Sequence, residues 1–244
     1  MGRRIFLYSL LALAAWGGTP VQADEAADAS RFSNELEAGV VLSTGNSNIR
    51  AFNLKQANAY EWAGNTLKFD GRYLGSSNSG TENARFLTLG VRYERALSDR
   101  FRLFAAETYQ SDIFAGYNRR FNTDLGVKYL IVKDTETDWF VEAGYRHIAE
   151  ELTTGTNNNR SNARLYTEAM HKLQKNISVK LWVEYIQSVE NTQDLLLNSE
   201  ISASVLLTEV FSLKLGYLLR FNNNPLVPKQ RADTTFTTAL VAKF

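Results

Sequence analysis

Few residues in this sequence have the side chains that chemistry needs. There are two histidines, His147 and His171, and no cysteine. Without cysteine there is no disulfide framework and no thiolate metal site. A hydrolase would need a nucleophile or an activated water with a base beside it. Neither histidine stands next to a serine in a hydrolase-like pattern. Glu150 and Glu151 are adjacent carboxylates of the kind that general acid–base chemistry pairs. The asparagine runs at 157–159 and 222–224 read as solvated loops, the acids lack the spacing of a calcium loop, and no glycine-rich phosphate cradle is present. The sequence therefore predicts no catalytic residue, no cofactor and no metal.

The larger polar set is a series of charges that recur at every second position. It comprises Lys68, Asp70, Arg72, Arg92, Glu94, Asp124, Lys128, Glu142, Arg146, Arg164, Glu168, Lys172, Lys180, Glu184, Glu200, Lys214 and Arg220. The two signs are interleaved. Such a set suits a structural ion-pair network or the wall of a polar pore. A strongly selective channel concentrates one sign at its constriction, so the mixture favours a plug or a weakly selective pore. Along one strand, Glu184 is four residues from Lys180, and Glu168 is four from Arg164 and from Lys172. Partners on neighbouring strands matter more.

These charges alternate with apolar residues, and that period defines the elements carrying them. Ile177, Val179, Leu181, Val183 and Tyr185 oppose Ser178, Lys180, Trp182 and Glu184; Phe211, Leu213, Leu215, Tyr217, Leu219 and Phe221 oppose Ser212, Lys214, Gly216 and Arg220. Successive side chains of a strand point to opposite faces, so each such run has an apolar face and a charged face. Twelve runs are predicted, at 31–43, 48–62, 65–75, 83–97, 100–113, 120–133, 137–150, 161–174, 177–189, 193–208, 210–221 and 232–244. The facing of 48–62 and 100–113 stays open because they alternate poorly. His147 shares the phase of Tyr145, and His171 that of Leu165 and Ala169. Both histidines should face outward, near opposite ends, so they cannot meet. Glu150 and Glu151 should point to opposite faces.

The runs are longer than the 5–6 residues common in soluble sheets and reach the ~9–11 that a tilted membrane strand needs. Breaks after odd runs tend to be long and breaks after even runs short, as in outer-membrane barrels. Pro225 and Pro228 both fall in the last long break. Aromatics gather near run ends, as in interfacial girdles. Lipid offers no hydrogen bonds, so only a sheet without an edge can satisfy every amide there. The fold predicted is all-β: a transmembrane, antiparallel, up-and-down barrel over 31–244, with about twelve strands, short periplasmic turns and longer extracellular loops.

The N-terminus agrees. Arg3 and Arg4 precede an apolar stretch from Ile5 to Trp16, then a breaker and Val21-Gln22-Ala23. This is the pattern of a secretory signal peptide over 1–23, cleaved near Ala23; 24–30 then reads as a short disordered leader. Losing Arg3 and Arg4 from 27 basic residues leaves 25 against 26 acidic ones, a net charge of −1. That balance gives no reason to expect a nucleic-acid partner. At the other end, Phe236, Leu240 and the final Phe244 share one phase. They are predicted to form an assembly signal, with Phe244 on the short-turn side.

The stretch Leu42-Ser43-Thr44-Gly45-Asn46-Ser47-Asn48 is similar to a first-loop "SGN" signature. Tyr217-Leu218-Leu219-Arg220-Phe221-Asn222-Asn223-Asn224-Pro225, followed by Lys229 and Asp233-Thr234, is similar to a final loop and strand of the same family. Over about 30–244 the chain resembles the YdiY-like salt-induced outer membrane proteins, domain of unknown function family 481. The resemblance implies an outer-membrane barrel and carries over no catalytic residue. The expected function is a structural barrel or a narrow channel for small solutes or ions. The alternatives are an outer-membrane enzyme with its site in the loops at 151–160 and 222–231, or a soluble periplasmic β-protein. The expected partners are outer-membrane lipid, the barrel-assembly machinery reading the last strand, and small solutes or ions. A monomer in the outer membrane of a Gram-negative bacterium is expected.

Overall fold

The computed structural model describes residues 31–43 and 49–243. The predicted signal peptide and leader, most of the "SGN" stretch and Phe244 lie outside the described residues. Twelve strands follow in order: β1 (Arg31–Ser43), β2 (Ile49–Trp62), β3 (Asn65–Asn78), β4 (Thr81–Ala96), β5 (Phe101–Asp112), β6 (Tyr117–Lys133), β7 (Thr137–Leu152), β8 (Asn157–Gln174), β9 (Ile177–Ser188), β10 (Leu195–Leu206), β11 (Phe211–Asn222) and β12 (Ala232–Lys243). Each pairs antiparallel with its sequence neighbours. β1 and β12 close the barrel, with Glu35 opposite Lys243 and Ala38 opposite Leu240. Closure leaves no edge, so the backbone groups of the wall pair within the sheet.

Several strands run beyond the predicted limits at the loop end. β3 and β4 meet across 79–80, and β7 and β8 across 153–156, where breaks at 76–82 and 151–160 were expected. The polar residues flanking these loops continue the ladder, as when Glu151 pairs with Asn157. Hairpin extension thus takes over part of the predicted loops. The other described connections at that end are 113–116, 189–194 and 223–231; those at the opposite end are 63–64, 97–100, 134–136, 175–176 and 207–210.

The outer face is apolar. Phe69, Leu89, Leu125, Leu165, Leu181, Ile201, Leu215 and Phe236 are exposed there. Aromatic pairs mark its two levels. Tyr60 stacks on Trp62 and Phe101 meets Tyr129 at the turn end, with centroids 5.3 and 4.8 Å apart; Tyr109 meets Phe121 at 5.3 Å toward the loop end.

β2 and β5 alternate poorly for a local reason. Gln56 and Asn58 share the outward phase of Leu54 and Tyr60, and they bond each other and Asn34 at 3.2 and 2.9 Å. In β5, Phe104 and Ala106 take the inner phase, while Glu107 takes the outer one and accepts a bond from Thr123 Oγ1 at 2.6 Å. The inner face also differs from a purely charged one. Its most deeply buried residues include Ile148, Ile186, Leu218, Phe86 and Phe104.

Candidate functional site in the lumen

Adjacent strands present their inward residues at common levels, and the ladder register decides which charges meet. In the middle of the barrel, nine of the predicted residues form one connected network. Glu94 receives Lys68 Nζ and Arg92 Nε, both at 2.8 Å, and lies 3.8 Å from Lys128 Nζ. Arg92 reaches across the lumen from β4 to β7 and bonds Glu142 at 2.6 Å. Arg164 bonds Glu142 at 2.8 Å and Glu184 at 2.7 Å. Arg146 bonds Asp124 at 2.6 Å and Glu184 at 3.1 Å.

Small residues make the crossing possible. Gly126 and Gly144 face each other at the ladder, and a Cβ on Gly126 would stand 2.6 Å from the Ala143 carbonyl oxygen and 2.7 Å from Phe104 Cζ. The Phe104 ring fills that space, and the Arg92 guanidinium lies over it at 3.9 Å. A cation over an aromatic face is stabilised while it stays paired to its carboxylate. Lys128 sits likewise over Phe140, at 3.6 Å.

The remaining predicted charges form smaller groups. Lys180 bonds Glu168 at 2.9 Å, and Lys214 bonds Glu200 at 2.9 Å. Arg220 approaches Asp112 at 3.5 Å. Lys172 donates to the Thr135 carbonyl at the turn end. Asp70 and Arg72 line the lumen, and neither has an ion-pair partner among the described residues. Glu168 and Glu184 both take their ion-pair partners across strands, although Glu168 also accepts from Tyr166 Oη on its own strand at 2.6 Å.

Several inward charges escaped the sequence reading. Glu37 joins Lys214 at 3.0 Å. Glu150 is clasped by Arg120 at 2.6 Å and Arg160 at 2.8 Å. Lys55 lies in β2, whose broken alternation hid its facing. The signal for Glu37 was present, since Leu36 and Ala38 flank it in the opposite phase. Glu151 pairs with Arg119 on the other face from Glu150, so the adjacent carboxylates share no site. His147 stands at the level of Thr123 and Ser161, while His171 bonds Thr137 Oγ1 at 2.9 Å at the turn end. Among the described residues no cluster of His, Asp and Glu has the arrangement of a metal site.

The network occupies the side of the lumen formed by β3–β9. Beside it are two cavities, of about 530 and 560 Å³. The first reaches the turn end at Lys175 and Asn176, and the second reaches the loop end at Pro225 and Pro228. Arg72, Thr88 and Trp182 line both, which makes them the waist between the cavities.

Solved structures share this architecture. The NanC porin aligns with a TM-score of 0.54 at 7% identity, over 86% of this chain and 98% of its own. An outer membrane channel from Pseudomonas putida F1 aligns with a TM-score of 0.52 at 12% identity, over 89% and 96%. At such identities the likeness is one of fold: a closed barrel of the outer-membrane kind. No curated protein matches the sequence. The model of the family described as "Protein of unknown function, DUF481" matches residues 36–244, so this chain belongs to that family.

Proposed function

We propose that this protein is a monomeric barrel of the bacterial outer membrane, exported by a leader cleaved near Ala23, that passes small polar solutes or ions. Its turn end faces the periplasm and its loop end the outside. The exposed apolar band suits lipid, which would be poorly matched to water at this extent. The last strand, with Phe236 and Leu240 exposed on its outer phase and Phe244 beyond the described residues, is the segment the assembly machinery reads. One observation carries the channel reading. Two cavities, one toward each end, share Arg72, Thr88 and Trp182 as lining residues beside the ion-pair network, which supports a route between them.

Purified protein in planar bilayers should give discrete conductance steps. A parallel gel of boiled and unboiled samples should show two mobilities, since closed barrels resist detergent. Identical mobilities with recovery in the soluble periplasmic fraction would overturn the membrane assignment. A heat-modifiable protein that stays silent in bilayers at high load would leave a second reading, a purely structural barrel. That reading is favoured by the apolar residues Ile148, Ile186 and Leu218, which occupy the lumen together with the network.

A further inference from the structure

The charges of the lumen are close to balanced in number, but they are not balanced in place. Most inward cations are held by carboxylates: Lys214 lies between Glu37 and Glu200, and Lys180 against Glu168. Two are not. Lys55 and Arg72 are direct cross-strand partners on β2 and β3, both on the inner phase and both lining the turn-end cavity. Among the described residues neither lies within ion-pair distance of a carboxylate. Arg72 uses only its Nε, which donates to Asn53 Oδ1 at 3.1 Å; its two terminal nitrogens have no protein acceptor among the described residues.

Like charges directly opposite on a ladder are destabilising. Glu37 stands opposite Lys55 on the β1 ladder, but its two oxygens are taken by Asn53 and Lys214, so the pair beside the cavity is left to be neutralised in part from the lumen. Asp70 is the one carboxylate of this wall without an ion pair, and it answers at most one of the two charges. It is also turned toward Gly90, whose Cβ position lies 2.6 Å from Asp70 Oδ1. The free end of Arg72 is a planar fork of the kind that binds carboxylate or phosphate with two parallel hydrogen bonds. Lys55 beside it adds a compact charge.

We propose that Lys55 and Arg72 form an anion-binding site on the turn-end side of the waist that takes a small oxyanion, a carboxylate or a phosphate, and makes the route through the barrel anion-selective. The site stands on the geometry alone. The selectivity rests in addition on the channel reading above. Arg72 lines both cavities, so an anion crossing from one to the other passes its guanidinium. Trp182 lines the same waist from β9.

The test has two arms. In planar bilayers under a potassium chloride gradient, the reversal potential should lie toward that of chloride. The Lys55→Gln/Arg72→Gln variant should lose most of this preference while keeping its conductance. Added phosphate or acetate should reduce the wild-type current and leave the variant unaffected, and the more potent of the two identifies the preferred oxyanion. The second arm needs no conductance. In detergent, a Trp16→Phe/Trp62→Phe/Trp139→Phe protein should report Trp182 alone. With each ion normalised to its quenching of free N-acetyltryptophanamide, iodide should quench it at least about threefold more efficiently than caesium, because an unpaired cationic site concentrates anions. Lys55→Gln/Arg72→Gln should abolish the difference. Arg72→Glu, which can pair with Lys55 across the ladder, should abolish it as well, so the result does not depend on one variant folding. Steps without chloride preference would overturn the selectivity and leave the channel standing. A silent bilayer with strong iodide quenching would sink the channel and keep the site. Equal quenching by iodide and caesium in the wild type would overturn the site.

Discussion

Glu94 is the place to test whether the lumen network stabilises the barrel. Its side chain is 2% exposed and faces three cations. Glu94→Gln keeps the volume and removes the charge, and its three partners differ in what remains to them. Arg92 keeps Glu142 at 2.6 Å, and Lys68, with 37% of its side chain exposed, can turn to water. Lys128 has no other carboxylate partner among the described residues and is 8% exposed over the Phe140 ring. One buried cation is therefore stranded. Breaking a buried pair from one side costs about 3 kcal/mol at the low end of its usual range, roughly a hundredfold in the folding equilibrium. With a slope of roughly 3 kcal/mol per molar in guanidinium chloride, the unfolding midpoint falls by about 1 M. Adding Lys128→Met removes the stranded charge and should restore about 2 kcal/mol, a coupling that a double-mutant cycle isolates. Tryptophan fluorescence of protein in lipid vesicles, titrated with denaturant, gives both numbers. If the double variant is less stable than Glu94→Gln alone, the stranded-cation account is wrong.

Other measurements reach other parts of the structure. Leu125 is 55% exposed on the outer face, so Leu125→Arg would be harmless in water but should lower stability in vesicles by about 2–4 kcal/mol; an unchanged midpoint there would count against a lipid-facing band. Gly126→Ala places a methyl 2.6 Å from the Ala143 carbonyl oxygen in a ladder that cannot retreat, so heat-modifiable protein should drop sharply, whereas Gly80→Ala, with open space around it, should fail only through its left-handed backbone and more mildly. In the 134–136 turn, backbone amides of Glu136 and Thr137 donate to Asp134 Oδ1 at 2.8 and 2.7 Å and hold its carboxyl below the ordinary aspartate range. The turn's stabilisation is then full above the ordinary aspartate pKa and is lost as pH falls through the lowered one; an NMR titration of Asp134 with a midpoint at or above the ordinary value would contradict this.

Much of the barrel was legible in the chain. Period-two alternation in runs such as Ile177–Tyr185 is a local property, and it gives strand identity and facing without any partner. Strand ends were less legible. The polar residues after Gly75 and before Arg160 look like loop, yet they continue the ladder once a neighbour offers hydrogen bonds. β2 and β5 were ambiguous because outward Gln56, Asn58 and Glu107 are satisfied sideways, by Asn34 and Thr123, in pairings that depend on register.

The sequence by itself determined the class of fold and the inner phase of charges such as Lys68, Glu142 and Lys214, because side-chain direction in a strand follows from position alone. It could not show which charges cancel, because an ion pair is a distance between strands. The interleaved signs pointed to a plug or a weakly selective wall. Only the closed sheet brought Arg92 to Glu142 across the lumen, seated Lys214 between two carboxylates, and left Lys55 facing Arg72 with neither in an ion pair among the described residues. Composition counts charges, whereas the tertiary structure decides which of them remain free.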